Sequence, residues 1–188
     1  EEPPELQQLI DKVLRYNLRQ LARLQAQLAD RPGEIAWFGD DLGTQHGLPI
    51  SPAAWRRYLK PCYRALYQPL RAAGHPVYMH TDGHILDIIP DLIDCGVSII
   101  NPQVRANGLA NLARVAKGRV CIDLDLARQM FPLCRPADID AHVAEVVATL
   151  NSPTGGLWLT AEMDDGVPLE NIEAIFAALS RYRVLRKA

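Results

Sequence analysis

Five short apolar runs in this sequence each end in a cluster of polar residues. The runs are rich in β-branched and aromatic residues, which is typical of buried strands. They are 35–38 before Asp40 and Asp41, 77–79 before His80 to Asp82, 97–100 before Asn101 to Gln103, 120–122 before Asp123 and Asp125, and 157–159 before Glu162 and Asp164. Because the carboxyl ends of parallel strands lie side by side, these clusters predict one enzyme-like cleft lined with carboxylates, an imidazole and amides.

Stretches with helical spacing of apolar residues separate the runs. A long amphipathic helix is predicted over 6–28, and Pro32 follows it as a chain break before the first strand. Pro61 and Pro69 interrupt the helical stretch 51–73, which is therefore expected to be kinked or divided. Later helices are expected at 85–94, 109–116, 137–150 and 168–179.

Strict alternation of strands and helices leaves two architectures, an open doubly wound sheet and a (β/α) barrel. The sequence has no GxGxxG after the first strand and no Walker motif, which disfavours the common nucleotide-binding open sheets. A complete barrel needs eight strands and about 250 residues. We therefore expect an α/β fold of the partial TIM (β/α)8 type, with about five parallel strands. It would be a single domain over 1–188, with a leading helix and turn in 1–33 and five β-α units in 34–182.

The bulk composition excludes some classes of partner. The 188 residues include 20 basic and 22 acidic ones, and a net charge of −2 suggests neither nucleic acid nor a membrane surface as partner. The start Glu1-Glu2-Pro3-Pro4 has no secretory leader and no initiator Met, so a trimmed chain is expected. The four cysteines show no close pairing and are interpreted as free thiols in the cytoplasm, with Cys95 and Cys121 in the core.

The strongest local motif is His80-Thr81-Asp82-Gly83-His84. Residues two apart at a strand end can both point into a cleft, and Gly83 permits a tight turn there. His80 and Asp82 could bind a divalent metal, or form an acid-base pair in which Asp82 orients His80. The alternative is a turn residue and a hydrogen-bonded histidine that caps the next helix.

A third metal ligand is predicted after the fifth strand. Glu162 could complete a set with His80 and Asp82, an oxygen-rich site suited to Zn²⁺ or a similar divalent ion. Asp164 and Asp165 are interpreted as turn residues, since Asp and Gly dominate turns.

Asp40 and Asp41 form a second acidic pair. Adjacent carboxylates in a partly closed cleft could provide a catalytic proton donor, and Gln45 nearby is a candidate ligand-binding residue. Alternatively, one carboxylate caps the next turn and the other is solvated.

Three further residues are candidates for ligand binding. Asn101 and Gln103 can orient a ligand through amide hydrogen bonds, or they form a rigid turn around Pro102. Asp123 alternates with Asp125 in strand fashion, so both are expected on one side. No role is assigned to His46, His75 or His142, and Trp37, Trp55 and Trp158 are expected in the core.

At these same residues the chain resembles the uroporphyrinogen decarboxylase superfamily, which includes corrinoid-dependent methyltransferases. The resemblance extends from about Glu34 to Ala178 and corresponds to the carboxyl-terminal part of the family's barrel. The shared segments are 39–45, 50–52, 58–61, His80 to Gly83, 86–93, 96–97, 101–102, 155–156 and 167–174.

The resemblance implies a (β/α)8 barrel whose amino-terminal strands are absent from this chain. In the decarboxylases that part carries the arginine-rich segment and the aspartate that handle the substrate. The methyltransferases bind zinc through a His-x-Cys-Gly motif and a later Cys. Here His80 matches the His, Asp82 stands in place of the Cys, and Glu162 is near the place of the second ligand. Carboxylates make such a site harder than thiolates do.

The resemblance therefore implies metal-assisted methyl transfer from a corrinoid or another methyl donor, with a small molecule or a tetrapyrrole as ligand. Two alternatives stay open. One is a uroporphyrinogen decarboxylase fragment that needs its missing amino-terminal half. The other is a non-catalytic tetrapyrrole-binding or assembly subunit, because the exposed strand edges of a partial barrel favour homo-oligomers or a covering partner.

Overall fold

Strands and helices alternate along the chain as the sequence predicts. This computed structural model describes residues 3–28, 31 and 33–183. Its strands are β1 (Ala36–Gly39), β2 (Val77–Thr81), β3 (Ile99–Pro102), β4 (Cys121–Asp125) and β5 (Leu157–Thr160), in the sheet order β1-β2-β3-β4-β5. Its helices are α1 (Glu5–Leu28), α2 (Pro52–Tyr58), α3 (Lys60–Ala72), α4 (Ile89–Cys95), α5 (Val104–Asn107), α6 (Leu109–Ala116), α7 (Pro136–Leu150) and α8 (Leu169–Tyr182). The α/β prediction with five strands, as in part of a TIM barrel, is confirmed.

The contacts divide the chain into two compact units, Glu1–Ile100 and Asn101–Ala188, which are described separately. Pro32, the predicted chain break, lies outside the described residues. No helix in the described part of the chain is both long enough and apolar enough to cross a membrane.

The helical stretch with two prolines is divided in the first unit. Ser51 caps α2, and its Oγ accepts a hydrogen bond from the backbone N–H of Ala54 at 3.1 Å. Helix α2 ends at Tyr58, and Pro61 lies in the first turn of α3, where a missing N–H costs little. Pro69 lies inside α3 without ending it. The predicted division is confirmed, at Pro61 alone.

The two faces of β1 and β2 differ in burial. The strands pair in parallel, with Trp37 beside Tyr78 and Phe38 beside Met79. Phe38 packs on Tyr67 of α3, with ring centroids 4.9 Å apart, and Met79 is fully buried. Trp37 points to the opposite face and is 64% exposed, so its prediction as a core residue is wrong.

A group of charged side chains joins α2 and α3 to α4. Asp91, only 8% exposed, accepts hydrogen bonds from Arg56 Nε at 2.8 Å and from Lys60 Nζ at 2.6 Å. Arg56 also donates to the backbone oxygen of Asp87 at 2.9 Å. Although burial alone would raise the pKa of Asp91, the hydrogen bonds from Lys60 and Arg56 hold it below its ordinary value. One carboxylate therefore ties three helices together.

In the second unit, α7 and α8 pack together and β4 pairs in parallel with β5. Its core contains buried aliphatic residues of β4, α7 and α8: Ile122, Leu124, Ile139, Val143, Val146, Ile175 and Ala178. Buried Asn171 donates hydrogen bonds to the backbone oxygens of Phe131 and Cys134 at 2.7 and 2.9 Å, which fixes the loop before α7.

Buried positions of the tryptophans and cysteines were only partly predictable. Trp55 is 1% exposed and Cys95 is fully buried, as predicted. Trp158 on β5 is 46% exposed, so its core prediction is wrong. Cys121, the first residue of β4, lies at an intermediate depth, whereas Ile122 next to it is buried.

Candidate active site

The loops that follow β1 and β2 touch backbone to backbone. We call residues 40–44 and 82–84 the paired loops. A Cβ built on Gly83 would lie 2.3 Å from the carbonyl carbon and oxygen of Gly43, closer than any side chain can approach. The backbone N–H of His84 donates to the oxygen of Thr44 at 2.7 Å. Two glycines at these positions therefore let the two polar motifs meet.

The side chain of Thr81, the last residue of β2, forms hydrogen bonds with both paired loops. Its side chain is fully buried, and its Oγ1 accepts a hydrogen bond from the backbone N–H of Leu42 at 3.1 Å. The same hydroxyl donates to the backbone oxygen of Asp82 at 3.2 Å. The hydroxyl thus connects the end of β2 to both loops.

We expect Thr81→Val to destabilise the protein by about 1 to 2 kcal/mol, because the nearly isosteric side chain removes the hydrogen bonds of the hydroxyl with the Leu42 N–H and the Asp82 oxygen. The Leu42 N–H then keeps only the backbone oxygen of Asp40 as acceptor. Urea unfolding monitored by circular dichroism measures this loss. Thr81→Ser is the control, because it keeps the hydroxyl and removes only the methyl group. Equal unfolding midpoints for Thr81→Val and wild type would show that the hydroxyl does not hold the loops.

His80 and Asp82 lie at the carboxyl end of β2. The distance from His80 Nε2 to Asp82 Oδ1 is 3.7 Å, and both side chains are partly exposed. The His80 ring stacks on the Trp37 ring, with ring centroids 6.4 Å apart, and the two side chains lie on the same face of the sheet. An imidazole with a nearby carboxylate and access to solvent can take up or release a proton from a bound molecule.

Asp40 faces helix α3. Its Oδ2 accepts a hydrogen bond of 2.5 Å from the hydroxyl of Tyr63. Burial, and after it the hydrogen bond to Asp40, raises the pKa of Tyr63 well above its ordinary value, so this tyrosine stays a donor. Tyr63 was not identified from the sequence, because its spacing from Tyr67 is that of two core residues on one helical face. Asp41 and Gln45 are exposed.

The second unit has its own polar cluster, formed by residues of β3, β4 and β5. Buried Asp123 accepts a hydrogen bond from Thr160 Oγ1 through Oδ1 at 2.8 Å. Its backbone oxygen accepts one from Asn101 Nδ2, also at 2.8 Å. Gln103 precedes α5, and its backbone oxygen accepts a hydrogen bond from Asn107 Nδ2. The amide of Asn101 and the carboxylate of Asp123 therefore both have contacts within the fold.

Glu162 forms an ion pair with Arg128, a residue that sequence reasoning missed. The backbone N–H of Glu162 also points to Asp125 Oδ1, 3.4 Å away. Burial raises the pKa of the Asp125 carboxyl, and the positive charge of Arg128 offsets part of that rise. Arg128 lies in a short 3₁₀ turn, and the loop sequence around it contains no motif that could have revealed it.

The described residues do not fit a complete metal site. Across 3–28, 31 and 33–183, no three His, Cys, Asp or Glu side chains are grouped so that they could hold a metal ion. His80 and Asp82 offer two donors, whereas the carboxylate of Glu162 is paired with Arg128. The metal set of His80, Asp82 and Glu162 therefore stays a prediction.

Comparison with known proteins identifies the family. The model of the family described as Uroporphyrinogen decarboxylase (URO-D) matches residues 1–182. The chain belongs to this family. No curated protein gives a significant sequence match. The URO-D resemblance deduced from the shared sequence segments is thus confirmed.

A solved structure shows the same fold. It is a methyltransferase from Methanosarcina mazei, 18% identical in sequence, which superposes with a TM-score of 0.57. The alignment covers 79% of this URO-D chain and 42% of the methyltransferase. The chain therefore spans less than half the length of that protein, with which it shares the fold.

Proposed function

We propose that this chain is part of a URO-D superfamily enzyme that transfers a methyl group from a corrinoid or another small methyl donor. The observation that carries the proposal is the pair of His80 and Asp82, 3.7 Å apart and open to solvent beside the paired loops. The likeness to a methyltransferase fold supports it.

The roles of the two residues follow from the chemistry. A neutral acceptor R–XH loses a proton as X forms its bond to the methyl carbon. The bond from the methyl carbon to the donor breaks, and its electron pair stays with the donor. In this proposal His80 receives the proton, and the carboxylate of Asp82, 3.7 Å away, stabilises the imidazolium that results.

We expect His80→Asn to lower the rate of methyl transfer about 100-fold, because general-base catalysis contributes at least that much. The assay follows the visible spectrum of methylcobalamin with a small alkanethiol as acceptor and with the purified protein. His46→Asn is the matched control, an exposed histidine outside the site. A rate for His80→Asn within twofold of wild type would contradict the assigned role.

Metal analysis of the purified protein and of His80→Asn tests the predicted divalent ion separately. The carboxy-lyase alternative rests on the description of the family itself. Release of CO₂ from uroporphyrinogen, with no turnover of methylcobalamin, would show that the activity is decarboxylation and not methyl transfer. Binding of either tetrapyrrole without turnover would favour the non-catalytic subunit.

A further inference from the structure

A cavity of about 650 Å³ lies in the first unit between α1, α3 and the helix-facing side of β1 and β2. Its walls are mostly aliphatic and aromatic, and they include Leu9, Val13 and Leu21 of α1, Phe38, and Tyr67. Small-molecule sites in proteins have volumes of this order and walls of this character.

The cavity lies on the other side of the sheet from His80. Phe38 and Met79 line it, and they alternate along their strands with Trp37 and His80. Since successive side chains of a strand point to opposite faces, a molecule in the cavity would not contact the His80 ring. The cavity is therefore a separate site.

The charge in the wall of the cavity is negative. Among the described lining residues, Asp40 is the one of a type that ordinarily ionises at neutral pH, and its Oδ2 accepts a hydrogen bond of 2.5 Å from the Tyr63 hydroxyl. A second acid acts on the same wall. The pKa of the lining Cys62 is raised by burial first and then by the negative charge of Asp11 on α1. An apolar space with a fixed carboxylate at its wall complements a cation with an apolar body.

We propose that this cavity binds a small organic amine, with its apolar body between α1 and α3 and its ammonium group on the Asp40 carboxylate. An ammonium can donate three hydrogen bonds, and a carboxylate that already accepts one from Tyr63 has further lone pairs to accept them. Charge-assisted hydrogen bonds of this kind are about twice as strong as neutral ones. The amine site is independent of the proposed methyl transfer.

Isothermal titration calorimetry with three matched probes tests the proposal. The probes are 4-phenylbutylamine, 4-phenylbutanol and 4-phenylbutyrate, which share one apolar body and differ in the charge of the head group. We expect the amine to bind at least about tenfold more tightly than the alcohol, and the carboxylate to bind least. Equal affinity for all three probes, or no binding of the amine, would overturn the proposal.

Two variants locate the bound amine. Asp40→Asn should weaken amine binding about tenfold and leave alcohol binding unchanged, whereas Asp41→Asn, the adjacent acid outside the cavity lining, should leave both unchanged. Val13→Trp enlarges a half-exposed side chain of α1 that lines the cavity, and it should abolish binding of both probes. Thermal melts check that each variant is folded. Undiminished amine binding by folded Val13→Trp or by folded Asp40→Asn would place the amine elsewhere.

Discussion

Replacing Gly83 by alanine is expected to destabilise the protein by about 2 to 5 kcal/mol. The left-handed backbone of Gly83, with φ of +78°, costs a residue with a Cβ about 1 to 2 kcal/mol. The new methyl group would also lie 2.3 Å from the backbone of Gly43, and overpacking of this kind adds about 1 to 3 kcal/mol. Chemical denaturation with urea gives the free energy of unfolding directly.

Gly118 supplies the matched control for this substitution. Its φ is +73°, and apart from its chain neighbours no atom of the described residues lies within 4 Å of a Cβ built on it. Gly118→Ala should therefore cost only the backbone part, about 1 to 2 kcal/mol. If Gly83→Ala and Gly118→Ala lower the free energy of unfolding equally, the close approach of the paired loops does not add to the cost of the Gly83 substitution.

We expect Asp91→Asn to destabilise the protein by about 2 kcal/mol near neutral pH. The substitution removes the charge that binds Arg56 and Lys60 at a largely buried position, although both cations keep partial access to water. Because the pKa of Asp91 is lowered in the folded state, its contribution is complete above the unfolded value of about 3.9. It is lost as the pH falls through the folded pKa, so the two proteins should converge in stability in acid.

Urea unfolding of wild type and Asp91→Asn at a series of pH values from 7 down to about 2 measures this difference. Asp94→Asn is the control, since its carboxylate is exposed and lies 3.4 Å from the same Lys60. An exposed pair of this kind contributes at most about 1 kcal/mol. A stability difference for Asp91→Asn that stays constant down to the lowest pH would contradict the assignment to an ionised carboxylate.

The alternation of strands and helices could be predicted because its signals are local. A run of β-branched residues, a glycine after a helix and a proline in a first turn each act within a few residues, and Pro61 divides α2 from α3 as expected. The position of His80 and Asp82 at a strand end followed from the same local pattern.

The errors concern contacts between distant parts of the chain. Trp37 and Trp158 have the composition of core residues, yet each lies on the uncovered face of its strand, which the sequence of one strand does not reveal. Tyr63 and Arg128 each reach their acidic partner across more than twenty residues. Side-chain partners at such separations depend on the fold, and periodicity in the sequence carries no information about them.

The contact between Gly43 and Gly83 also limits how the two loops can move and which substitutions they tolerate. Neither segment can shift toward the other, because their backbones are already in contact. Any movement of the loop after His80 toward residues 40–44 would therefore have to carry both segments together. Substitutions at the two glycines cannot compensate each other, because any added atom on either one worsens the same collision.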